Sequence, residues 1–130
     1  YVHYKLYFDG YRTIDIERVA GLNIGRAFAL NAIAGVLIAV ALLASLVVPR
    51  LSVPAALAGI AFSAATLIAY WLTRTRGLLG YSEGIWTSDA KVAVTAEVVG
   101  LVVLAGYVAA ASIVRSRSAS EWARLTNTAS

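Results

Sequence analysis

Residues 27 to 73 decide the fold: AFALNAIAGVLIAVALLASLVVP, then Arg50, then LSVPAALAGIAFSAATLIAYWLT. Arg50 is the only charged side chain in this stretch, and it divides two apolar runs, 27–49 and 51–73. A helix rises about 1.5 Å per residue, so roughly 20 residues cross a hydrocarbon core about 30 Å thick. Each run exceeds that length. Pro49, Ser52 and Pro54 bracket the junction. Proline is tolerated in a first helical turn, where a missing N–H costs nothing, and Ser52 is a suitable N-cap. The two runs therefore predict a tight antiparallel hairpin of membrane-spanning helices.

A third candidate span covers residues 91–114, where Glu97 is the only charge between Lys91 and Arg115. The connection before it carries Gly77, Gly80 and Gly84, and ends in Ser88-Asp89, a plausible N-cap. Tyr81 and Trp86 in this loop suit a headgroup region. The expected architecture is an all-α, polytopic transmembrane bundle forming one domain over residues 1–114. A short polar, basic tail, expected to be solvated or partly disordered, follows over residues 115–130.

Composition agrees. The chain of 130 residues is 60% hydrophobic and 14% charged, with a mean hydropathy of +0.76. Soluble domains are nearer a quarter charged, so this chain lacks the polar residues to coat a water-facing surface. Cysteine is absent, which excludes disulfides and thiolate metal sites. His3 is the single histidine, so a haem held between two histidines cannot be built from this chain alone. A metal site needs several convergent ligands, so the lone His3 among Tyr1, Tyr4 and Tyr7 reads as interfacial aromatic character. The excess of 11 Lys+Arg over 7 Asp+Glu is modest, and the basic residues flank apolar runs. Lipid headgroups, not nucleic acid, are the partners this implies. No nucleophile–base pair, carboxylate pair or phosphate loop is evident. The expectation is a non-enzyme without cofactor or metal.

Glu97 is the one ionisable side chain inside a span. Burying its charge in hydrocarbon costs about 2.5–3.5 kcal/mol on insertion scales. Two readings stay open: proton handling or anchoring of a partner, and a satisfied carboxyl that only packs helices. Asn31 lies at a matching depth in the first span. In the second, Gly59, Ser63, Thr66, Tyr70 and Thr73 fall on one helical face. The simplest packing gathers Asn31, Tyr70 and Glu97 into one polar cluster. Gly35, Gly59, Gly100 and Gly106 are the expected close-packing positions, as small residues let membrane helices approach.

The motifs around His3, Tyr7-Phe8-Asp9-Gly10-Tyr11-Arg12, Phe28-Ala29-Leu30-Asn31 and Gly77-Leu78-Leu79-Gly80-Tyr81-Ser82-Glu83 resemble small uncharacterised four-span membrane proteins of actinobacteria. The resemblance implies that the chain is truncated at its N-terminus, with a further span ending near residues 1–8. It also implies an extracytoplasmic segment over 9–26 and an inward-facing tail in the cytoplasmic membrane. Basic-residue counting on the visible chain gives the opposite orientation, with seven on the N-terminal side and four on the other. Short loops and small-residue faces leave little machinery of its own. The expected role is an accessory subunit that packs against, stabilises or regulates a larger membrane complex, with other membrane subunits and lipids as partners. By analogy with actinobacterial complexes, the candidate hosts are a mammalian-cell-entry type lipid importer and a respiratory supercomplex. The alternative is a small transporter or proton-linked factor using Glu97.

Overall fold

The computed structural model describes residues 24–79, 82 and 84–127, together with Tyr4 and Phe8; the side chains of 119 and 121–127 lie outside that description. Three helices make up the architecture: α1 (Ile24–Ala44), α2 (Ser52–Thr75) and α3 (Ser88–Asn127), with a 3-10 turn at Pro49–Leu51. All three are long and apolar enough to cross a membrane. This is the all-α arrangement of a multi-pass membrane protein. The expected further span near residues 1–8, and residues 9–23 of the expected extracytoplasmic segment, fall outside the described residues apart from Tyr4 and Phe8. Those two rings lie 4.8 Å apart.

The helix ends differ from the sequence expectation for local reasons. α1 begins at Ile24, ahead of Arg26, and its last turn tightens after Ala44 through Leu46 N–H to Leu43 and Val47 N–H to Ala44. Pro49 then opens the 3-10 turn. Ser52 does not cap α2. It is already helical, and its hydroxyl donates backward to the Pro49 carbonyl at 2.7 Å. The cap of α3 is Thr87 in place of Ser88-Asp89: the Ala90 N–H donates to Thr87 Oγ1 at 3.1 Å. Asp89 occupies the first turn, where a negative charge suits the helix dipole.

The largest departure is at the C-terminal side. The tail from residue 115 is helical as far as Asn127, so α3 is a single helix of 40 residues, about 60 Å long. Continuing an existing helix needs no new nucleation, and Ala and Arg are strong helix formers. The serines do not oppose it. Ser112, Ser116, Ser118 and Ser120 each donate to a carbonyl three or four residues back.

α2 is the central element, packing against both α1 and α3. Among the described residues, no Cα of α1 comes within 8 Å of one in α3. The seams are made of small residues. Ala55, Ala56, Gly59 and Ser63 are buried on α2. A Cβ on Gly59 would stand 2.5 Å from Leu104 Cδ1 and 3.6 Å from Ile38 Cγ2, so this glycine sets the approach of all three helices. Gly100 lies beside the Ser63 hydroxyl and Gly35 beside the Phe62 ring. Gly106 differs from these three, for nothing lies within 4 Å of where its Cβ would be. Large apolar side chains such as Val36, Leu43, Val102 and Val103 point outward, the pattern of a surface solvated by lipid tails.

Candidate functional site

Between the three helices lies a cavity of about 380 Å³. Its origin is in the side chains of α2. One turn beyond Ser63, small residues give way to larger ones, and the outer helices no longer close over the face. α1 contributes Ile24, Ala27, Phe28 and Asn31; α2 contributes Phe62, Thr66, Tyr70 and Thr73 with intervening alanines; α3 contributes Asp89, Ala90, Ala93 and Glu97. Leu78 and Thr87 of the connecting loop complete the wall at one end. Thr73 and Ala90 are both buried at that end.

Asn31, Tyr70 and Glu97, expected to form one polar cluster, all line this cavity. Their pairing is more specific than the spacing indicated. Thr66 Oγ1 donates to Asn31 Oδ1 at 3.2 Å, bridging α1 and α2. The Tyr70 hydroxyl accepts from Arg74 Nη1 at 3.4 Å. Glu97 is also engaged.

Tyr70 belongs to a second arrangement as well. The Trp86 ring meets it edge-on at 5.6 Å, and the Arg74 guanidinium lies 4.7 Å from the Trp86 ring and 5.8 Å from Tyr70. A cation over an aromatic face is attracted by the ring quadrupole. This stack ties the loop between α2 and α3 to the last turns of α2, beside the cavity wall. The positive φ of Gly77 (77°) ends α2 and turns the chain into that loop.

Among the described residues of the lining, the charged side chains are Asp89 and Glu97, and both are engaged by partners. Both carboxylates come from α3. Their separation of eight residues places them about 12 Å apart along the axis, one near the loop end and one deep. The described residues contain no group of three His, Cys, Asp or Glu that could hold a metal.

Of the expected packing glycines, Gly35, Gly59 and Gly100 sit in interhelical contacts and Gly106 faces away from the bundle. Sequence reasoning left Thr66 as a member of a stripe and Asp89 as a capping residue. It did not single out Phe28 or Phe62. The spacing of Asp89 and Glu97 was a usable signal, because residues eight apart on a helix lie within about 80° of one another. No protein-family model, curated protein or solved structure matches this chain.

Proposed function

We propose that the chain is a non-catalytic accessory subunit that packs against a larger complex of the cytoplasmic membrane, with its C-terminal end in the cytoplasm. One observation carries this reading: the three helices form an open array. α1 and α3 each lean on α2 without touching one another at the backbone, and no large side chain among the described residues is fully buried. Such an array gains packing from further helices, since van der Waals contact is the main attraction between membrane helices. The lipid importer and respiratory supercomplex expected from the actinobacterial resemblance are the hosts to examine first. Gly106, open to the outside on α3, is the natural docking position; Gly35 is used internally against Phe62. Purification of the tagged chain under native conditions should recover host subunits in constant ratio, and Gly106→Leu should weaken that recovery. A chain that is monodisperse alone and transports a solute by itself would overturn the proposal. A C-terminal reporter active only outside the cytoplasm would overturn the orientation.

The convergence of Asn31, Tyr70 and Glu97 on one cavity favours a second reading, a small transporter or proton-linked factor. Glu97→Gln keeps shape and hydrogen bonding while removing the carboxyl's proton chemistry. Under the accessory reading this variant assembles and supports host activity nearly normally. Under the proton-linked reading it assembles but host activity is lost.

A further inference from the structure

We infer that Arg74 and Trp86 form a site for the phosphate of an anionic phospholipid, at the membrane boundary where α2 gives way to the loop before α3. The apolar span that contains α2 ends at Thr75, so Arg74 lies in its last turn, at the level where hydrocarbon meets headgroups. Trp86 is 49% exposed, and Trp71, one turn before Thr75, also faces outward. Exposed tryptophans beside a basic residue suit this depth, because the ring is apolar in body and polar at its N–H.

What sets Arg74 apart from the other basic residues at the membrane boundaries is how it is held. Its guanidinium lies 4.7 Å from the Trp86 ring and 5.8 Å from that of Tyr70, and it donates to the Tyr70 hydroxyl at 3.4 Å. These are its contacts among the described residues, and no carboxylate is one of them. A guanidinium carries five N–H donors in one plane, and contact with a ring engages its face while the edges stay able to donate. One long hydrogen bond to Tyr70 leaves most of that donor set for an anion. Phosphate oxygens match the fork of an arginine, and a side chain already held loses less freedom on binding. Arg76, two residues on, and Arg50, at the opposite boundary, are the contrast. Both are exposed, and among the described residues no ring or acceptor holds either guanidinium.

A lipid fits this position better than a free phosphate. Arg74 is half-buried and still within the apolar span, and the two exposed tryptophan rings offer contact to a glycerol backbone and the first methylenes of a tail. The inference stands apart from the proposed function, because it requires only this boundary and holds for either orientation and any host.

The test is binding to the delipidated full chain in a non-ionic detergent, with dioleoylphosphatidylglycerol and dioleoylphosphatidylcholine as probes and native mass spectrometry as the readout. The two lipids share tails and phosphodiester, and only the first carries a net negative charge. A single phosphatidylglycerol per chain is expected to bind about fivefold or more tighter than phosphatidylcholine, the effect of one well-placed basic side chain near a membrane surface. Arg74→Gln should abolish that preference, whereas Arg50→Gln and Arg76→Gln should leave it in place. Glycerol phosphate at equal concentration should not displace the lipid. Equal binding of the two lipids would overturn the inference and leave Arg74 for a partner protein's carboxylate. Equal losses in the three arginine variants would overturn it too, since that is how an unspecific belt of charge behaves. Displacement by glycerol phosphate would overturn it in favour of a free phosphate. If Arg74→Gln lacks native helical content by circular dichroism, the double variant Arg50→Gln, Arg76→Gln decides: a preference kept there supports the site, and one lost there overturns it.

Discussion

Along one face of α2 the interior changes character within a single helical turn. Towards the hairpin with α1, Ala55, Ala56, Gly59 and Ser63 are buried, and the neighbouring helices come close enough that Gly59 has no room for a methyl group beside Leu104. Towards the loop that leads to α3, Thr66 and Tyr70 occupy the same face and border a cavity of about 380 Å³. Both halves are built from one helical stripe. What separates them is side-chain volume: small residues admit close backbone approach, whereas the larger Phe28, Phe62 and Tyr70 line the open half. In a bilayer no hydrophobic pressure closes such a gap, because lipid tails are as apolar as the helices themselves.

The contrast can be broken most forcefully at Gly59. Gly59→Leu drives a branched side chain into space held by Leu104 and Ile38. Overpacking of this kind costs about 1–3 kcal/mol, so thermal unfolding in detergent should begin at clearly lower temperature. A native unfolding curve would show that the tight half is not tight.

A smaller loss is expected at the loop. Trp86→Ala removes an edge-on contact with Tyr70 and the Arg74 stack, together worth about 1 kcal/mol. Limited proteolysis between α2 and α3 should accelerate while the spans stay protected. Unchanged cleavage would mean that the stack does not hold the loop.

Thr66→Val preserves shape and deletes the donor to Asn31. Hydrogen bonds between membrane helices average about 0.6 kcal/mol, so the midpoint of unfolding should move only slightly. A large shift would show that the polar groups of the open half act as one network.

The smallest effect is expected where space is already present. Ala93→Leu adds volume to a wall of the cavity. Stability should stay within about 0.5 kcal/mol of native, against the large loss at Gly59. Similar losses at both positions would erase the distinction between the two halves.

Several features were open to reading from the residues alone. Three apolar runs, each long enough to cross a bilayer, dictated three helices, because backbone groups in hydrocarbon must be satisfied within the helix. The turn at Pro49 followed from proline chemistry. The face carrying Gly59, Ser63, Thr66, Tyr70 and Thr73 followed from helical periodicity, as did the matching depths of Asn31 and Glu97. The sequence pattern did not contain the length of α3. A polar Ser/Ala/Arg tail is compatible with coil or helix, and here the preceding span supplies the nucleus that the tail would lack by itself.

Tertiary structure alone decided which glycines are internal. Gly35, Gly59, Gly100 and Gly106 look alike as small residues in apolar runs, yet only the rotation of each helix about its axis turns the first three inward and the last one out. The same holds for the cavity. Residue spacing brings Asn31, Tyr70 and Glu97 to one level, but the space between them exists because α1 and α3 both lean on α2 and not on each other. That is a property of three-body packing, which no single helix carries in its own pattern.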